Sequence, residues 1–114
     1  MANQSRPERS KAVDELMHDC TLRVRQNIDT LIEADKKRDA DHPLTYHQLG
    51  KRAGYSSAIV YQALTSEPPR NNIGIQTIAR FSLALKVTPH ELLLPPKSFR
   101  KEVLPKWLER RGVK

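Results

Sequence analysis

The sequence predicts an all-α protein, and three observations carry that expectation. Apolar residues recur at spacings of three and four, which marks one face of a 3.6-residue period. Helix-start signals punctuate the chain: Thr45 with Gln48 three residues on, Ser56, and the run Thr88-Pro89-His90-Glu91. No stretch of useful length alternates apolar and polar residues as a half-buried strand requires.

The first helix is read from Val13, Leu16, Met17, Cys20, Val24, Ile28, Leu31 and Ile32. Ser10 stands where a cap is expected. Asp14 and Glu15 suit the positive end of the helix dipole, and Lys36, Lys37 and Arg38 suit the negative end. One long helix and two shorter ones satisfy this pattern equally. Asp39 to Pro43 reads as a loop, because Pro43 biases His42 away from helical angles. A short helix then runs from Tyr46 to Ala53, with Gly54 ending it through a left-handed backbone. Ser56 caps a helix from Ser57 to about Thr65. Glu67 to Asn72, with Pro68 and Pro69, is a loop. Ile75, Ile78, Ala79, Phe81, Ser82 and Leu85 begin a fourth helix. Thr88 caps a fifth, with Pro89 at its first position and Pro95-Pro96 as its stop. Beyond Pro96, the residues Phe99, Val103, Leu104, Trp107 and Leu108 are scattered among charges. A short helix starting at Pro105 and a loosely ordered arm both fit that pattern.

A chain of 114 residues fits one domain with a modest core. Its single cysteine excludes an intrachain disulfide and suits a reducing, cytoplasmic setting. No apolar run approaches the roughly 18 residues of a membrane span, and the polar start MANQSRPERSK lacks the apolar core of a secretory signal. The formal net charge is +7, and the pI of about 9.9 favours a polyanionic partner, nucleic acid before membrane. That charge is uneven. Residues 1–11 carry +2, residues 12–44 carry −3, residues 45–86 carry +4 and residues 97–114 carry +5. Two basic ends therefore flank a middle with one acidic and one basic half.

Function is most legible from Leu44 to Ser66. Two helices of about eight and nine residues, joined by a turn at Gly54, have the spacing of a helix-turn-helix. Leu49, Ala53, Tyr55, Val60 and Ala63 point inward, and Gly50 lies at the crossing, where a large side chain would hold the helices apart. The outward face of the second helix is Ser57, Ala58, Tyr61, Gln62 and Thr65, one stripe with no acidic residue. Such a stripe can enter a major groove and offer hydrogen-bonding groups to base edges. Gln62 is the best base-reader, since its amide can pair bidentately with adenine. Tyr61 fits a thymine methyl, a phosphate, or packing against the neighbouring helix. Lys51, Arg52 and Arg70 are candidate phosphate contacts, with Asn71 and Asn72 just after the motif.

At these residues the chain resembles the phage repressor and Cro-type (Xre family) helix-turn-helix proteins. The resemblance runs from about Val24 to Pro95. It takes in Arg25-Gln26-Asn27, the motif at residues 45–65, and the ending Ala84-Leu85-Lys86-Val87-Thr88-Pro89-His90-Glu91-Leu92-Leu93. It implies a five-helix repressor-like bundle that binds operator DNA as a homodimer, with Ser57, Ala58, Tyr61 and Gln62 at base-reading positions. Tyr46 takes a position that often touches phosphate in that family. Gly50 stands where the family usually has alanine, a change that weakens a helix by roughly 1 kcal/mol. The expected organisation is a flexible basic arm at residues 1–11, the helix-turn-helix domain at residues 12–96 and a basic C-terminal extension at residues 97–114.

Other chemistry has no foothold in the sequence. His18 and Cys20 are two apart, and His42, His47 and His90 lie far off, so no metal-ligand spacing appears. Cys20 sits on the apolar stripe and reads as a small core side chain. There is no P-loop and no nucleophile elbow, so neither enzyme activity nor a cofactor is expected. Val13, Leu16, Met17 and Cys20 have no partner within the family's minimal module. Packing on the segment around Trp107 and packing on a second copy both satisfy them. The resulting reading is a sequence-specific transcriptional regulator, a repressor acting as a dimer on double-stranded DNA. The alternative is an antitoxin-like protein whose main partner is another protein, with autoregulatory DNA binding.

Overall fold

A computed structural model of the chain describes residues 7–41, 43–65 and 73–111. Every element among them is helical. Helix α1 (Pro7–Arg38) is a single uninterrupted rod of 32 residues, about 48 Å long at 1.5 Å per residue. It starts at Pro7, inside the segment expected to be an arm, so Ser10 lies within the helix and does not cap it. Residues 1–6 lie outside the described residues. Four helices follow: α2 (Tyr46–Ala53), α3 (Ser57–Thr65), α4 (Ile75–Leu85) and α5 (Pro89–Leu92). The chain then continues through α6 (Pro96–Ser98), a π-helical turn (Phe99–Val103) and α7 (Leu104–Arg110).

The caps behave as their chemistry requires. The Thr45 hydroxyl accepts from Gln48 N at 3.2 Å, and Ser56 Oγ accepts from Ile59 N at 3.2 Å. Thr88 and Glu91 close a reciprocal capping box at 3.1 and 2.8 Å. Proline explains the π turn. Pro105 has no N–H for the carbonyl four residues back, and its ring crowds that carbonyl. The preceding turn widens, and Leu104 N donates to Phe99 O instead.

One core joins α1 to α5, the π turn and α7. Val24, Ile28 and Leu31 of α1 meet Leu49 and Ala53 of α2, and Val60 and Leu64 of α3. Ile78, Phe81 and Leu85 of α4, Leu92 of α5, and Phe99, Val103 and Trp107 complete it. The segment read as a basic extension therefore supplies three core side chains. Trp107 is pinned further by its indole N–H, which donates to Leu85 O at 2.7 Å. Ala84 and Leu85 of α4 and Arg111 stand around it, and the Val13–Cys20 stripe takes no part in the core. That stripe is exposed in the single chain, with Leu16 66% accessible. Cys20 is exposed as well, which corrects the expectation of a core cysteine. The periodic pattern marked these turns as amphipathic, but α1 outruns the body that its second half packs against.

Buried polar groups on α1 clamp the other helices. Arg25 Nε donates to Leu64 O at 2.7 Å, at the end of α3. Asn27 Nδ2 donates to Leu92 O and Leu94 O, both at 2.9 Å, satisfying carbonyls that α5 leaves open. Thr21 Oγ1 accepts from Ile73 N at 3.0 Å. Fully buried Asp35 is the busiest. It accepts from Leu44 N at 2.7 Å, from Arg38 Nε at 3.0 Å, and from Arg111 Nε and Nη2 at 3.1 and 2.9 Å. Burial pushes its carboxyl up. The bonds from Arg111, Leu44 and Arg38, with the Arg111 charge, outweigh burial and hold it below the ordinary aspartate value. One carboxylate thus ties the end of α1, the entry to α2 and the end of α7 together.

Candidate nucleic-acid interface

The close crossing of α2 and α3 depends on Gly50. A Cβ there would lie 2.6 Å from Tyr55 O and 3.0 Å from Val60 Cγ2. The absent side chain lets the Tyr55 amide reach Gly50 O at 2.7 Å, which closes the turn. Gly54 supplies the left-handed residue at φ 82°. Arg80 of α4 seals this corner. Its Nη1 donates to Ala53 O at 3.0 Å, and its guanidinium lies 5.2 Å from the Tyr55 ring centroid. The Tyr55 hydroxyl is 3.2 Å from Thr77 Oγ1, and its ring meets Phe81 edge-on. Arg80 therefore contributes to the charge of this half of the chain while its guanidinium is engaged by the fold.

With α3 fixed this way, Val60 and Leu64 are buried while Ser57, Ala58, Tyr61 and Gln62 are exposed. Thr65 is half-buried, and its hydroxyl donates to Tyr61 O at 2.6 Å. Ile59, which the sequence analysis did not single out, is exposed beside the stripe. Tyr55 and Ala63 are half-buried and pack against the core. Lys51 and Arg52, on the last turn of α2, are exposed. A shallow depression at the start of α3 is lined by His47, Lys51, Tyr55, Ser56 and Ser57. His47 Nδ1 lies 3.0 Å from Ser57 Oγ. Lysine, two hydroxyls and the open amides of a helix start suit an anionic oxygen. His47 had no sequence signal, because its relation to Ser57 exists only once the turn is folded.

Tyr46 is placed differently from a free phosphate contact. Its hydroxyl donates to Asp29 Oδ1 at 3.3 Å, and its ring meets Tyr61 edge-on at 6.2 Å. Desolvation raises the Asp29 carboxyl above its ordinary value, with Tyr46 and Arg25 pulling it partly back. Desolvation and the Asp29 charge likewise raise the Tyr46 phenol. A carboxylate beside the hydroxyl repels phosphate, so the geometry makes Tyr46 a buttress that orients Tyr61. Arg70, Asn71 and Asn72 lie outside the described residues.

Among the described residues, no group of three His, Cys, Asp or Glu side chains could hold a metal ion. Nor is any helix among them long and apolar enough to cross a membrane. No family model matches the chain, and neither does any curated protein or solved structure.

Proposed function

We propose that this chain is a sequence-specific double-stranded DNA-binding regulator. On this reading α2 and α3 are a helix-turn-helix, and α3 is the helix that enters the major groove. The observation that carries it is the exposed face of α3, free of acidic residues, with Lys51 of α2 beside its start. Ser57, Ala58, Tyr61 and Gln62 read base edges. Lys51, Arg52 and the depression at the α3 start hold phosphates, joined by Arg70 and Asn72. Repression is steric: a homodimer on its operator blocks polymerase.

Titrating the protein against double-stranded DNA at increasing salt tests this. Each phosphate neutralised contributes about 0.9 to the slope of log affinity on log salt. Several contacts per protomer give a steep fall, and a flat plot removes DNA as the main partner.

A second reading is favoured by the exposed Val13, Leu16 and Met17 on α1. An apolar stripe on a projecting helix suits a protein partner, as in an antitoxin-like protein with autoregulatory DNA binding. Co-purification with a single stoichiometric partner that masks this stripe supports that reading over simple repression.

A further inference from the structure

The Trp107 side of the molecule carries a cavity of which the DNA-binding reading uses only Arg52. It has a volume of about 150 Å³ and is walled by Leu44, Ala84, Leu85 and Trp107, with Arg52, Lys86, Arg110 and Arg111 at its rim. The wall is apolar and the rim is wholly cationic. Arg111 is committed to Asp35 by two bonds, and its guanidinium lies 5.3 Å from the Trp107 ring centroid. Arg52, Lys86 and Arg110 are exposed and have no ion-pair partner among the described residues. Lys86 also holds a left-handed backbone at φ 60°, where glycine is the easier residue.

We propose that this cavity binds a small amphipathic anion, a single aromatic ring bearing a carboxylate. A free volume of about 150 Å³ accommodates one benzene-sized ring. Guanidinium forks at the rim match a carboxylate's two oxygens. The Trp107 indole is held by its N–H bond to Leu85 O at 2.7 Å, so the ring forms a fixed part of the lining. Arg52 belongs both to this rim and to the proposed phosphate contacts, so ligand and DNA compete for it. That coupling rests on the DNA-binding reading, whereas the site itself does not.

Trp107 is the chain's only tryptophan, so its fluorescence reports the site directly. The full chain is titrated with benzoate in the absence of DNA. A saturable fluorescence change is expected, with no matching response to benzyl alcohol or inorganic phosphate. The double variant Lys86→Asn/Arg110→Gln keeps a residue that tolerates the left-handed backbone and should bind about tenfold more weakly. Lys97→Gln, a charge change away from the rim, should leave binding unaltered. No saturable change, an equal response to phosphate, or an equal loss from Lys97→Gln overturns the proposal. Saturating benzoate should also weaken DNA binding by the wild-type chain; no effect there overturns the coupling and leaves the site standing.

Discussion

Gly50→Ala sets two opposed effects against each other in one methyl group. In a helix interior, alanine is favoured over glycine by about 1 kcal/mol, so propensity alone predicts stabilisation. The crossing predicts the reverse. The new Cβ would sit 2.6 Å from Tyr55 O and 3.0 Å from Val60 Cγ2. The first neighbour is backbone, held by the Tyr55 to Gly50 bond at 2.7 Å, so it cannot swing aside as a side chain can. Overpacking of this kind costs typically 1–3 kcal/mol. Net destabilisation of about 1 kcal/mol follows, or roughly 4 °C in Tm for a chain of this size. Relief requires α3 to move away from α2, so affinity for DNA should fall together with stability. Thermal unfolding by circular dichroism, paired with a DNA titration at low temperature, checks both. An alanine variant as stable as the wild type would refute the steric account of this crossing.

Other residues give sharper single tests. Asp35→Asn should lower stability at neutral pH by about 3 kcal/mol, because it leaves Arg111 and Arg38 without their buried anion. The Asp35 carboxyl is depressed in the fold, so its contribution is fully present above the ordinary aspartate value near pH 4 and is lost as pH falls through the depressed value. Denaturant midpoints for the two proteins should therefore converge below about pH 4; a constant gap across that range would contradict the assignment. For the proposed reading face, Gln62→Ala should relax base preference at one position per half-site at a cost of about 1–3 kcal/mol. Arg52→Ala should instead weaken all sequences alike and lower the salt slope by about one phosphate, as binding to a panel of single-base operator variants would report.

Much of the fold was legible because its boundaries are set by local chemistry. Thr45, Ser56 and Thr88 mark helix starts by side-chain capping, and Gly54 marks a turn by its positive φ. These need no knowledge of the rest of the chain. Long-range partnerships left less trace. Asp35 sits in a dense run of charges from Glu33 to Asp41, and nothing nearby in sequence says that Arg111, 76 residues away, will cover it. Arg80 enters the sequence only as one charge of the basic half, and the fold alone sets it against Ala53 O and Tyr55. The apolar stripe of α1 was read correctly as a face, but periodicity cannot say where the body under a helix ends. Cys20 therefore stands just outside a core whose buried residues begin with its neighbour Thr21 and, one turn on, Val24. Phe99, Val103 and Trp107 stand at i, i+4 and i+8, a helical spacing, but Pro105 and the charges between them conceal that a helix continues there, because the π turn that accommodates the proline appears only in the fold.

Selection of bound sequences from a random double-stranded DNA pool, at moderate salt and with the full chain, tests the central claim most directly. The account predicts enrichment of one motif with two-fold symmetry, its half-sites about one helical turn apart. Gln62→Ala should shift one position of each half-site and leave the spacing intact. An unenriched pool, or a motif that Gln62→Ala leaves unchanged, would contradict the assignment of α3 as the reading helix.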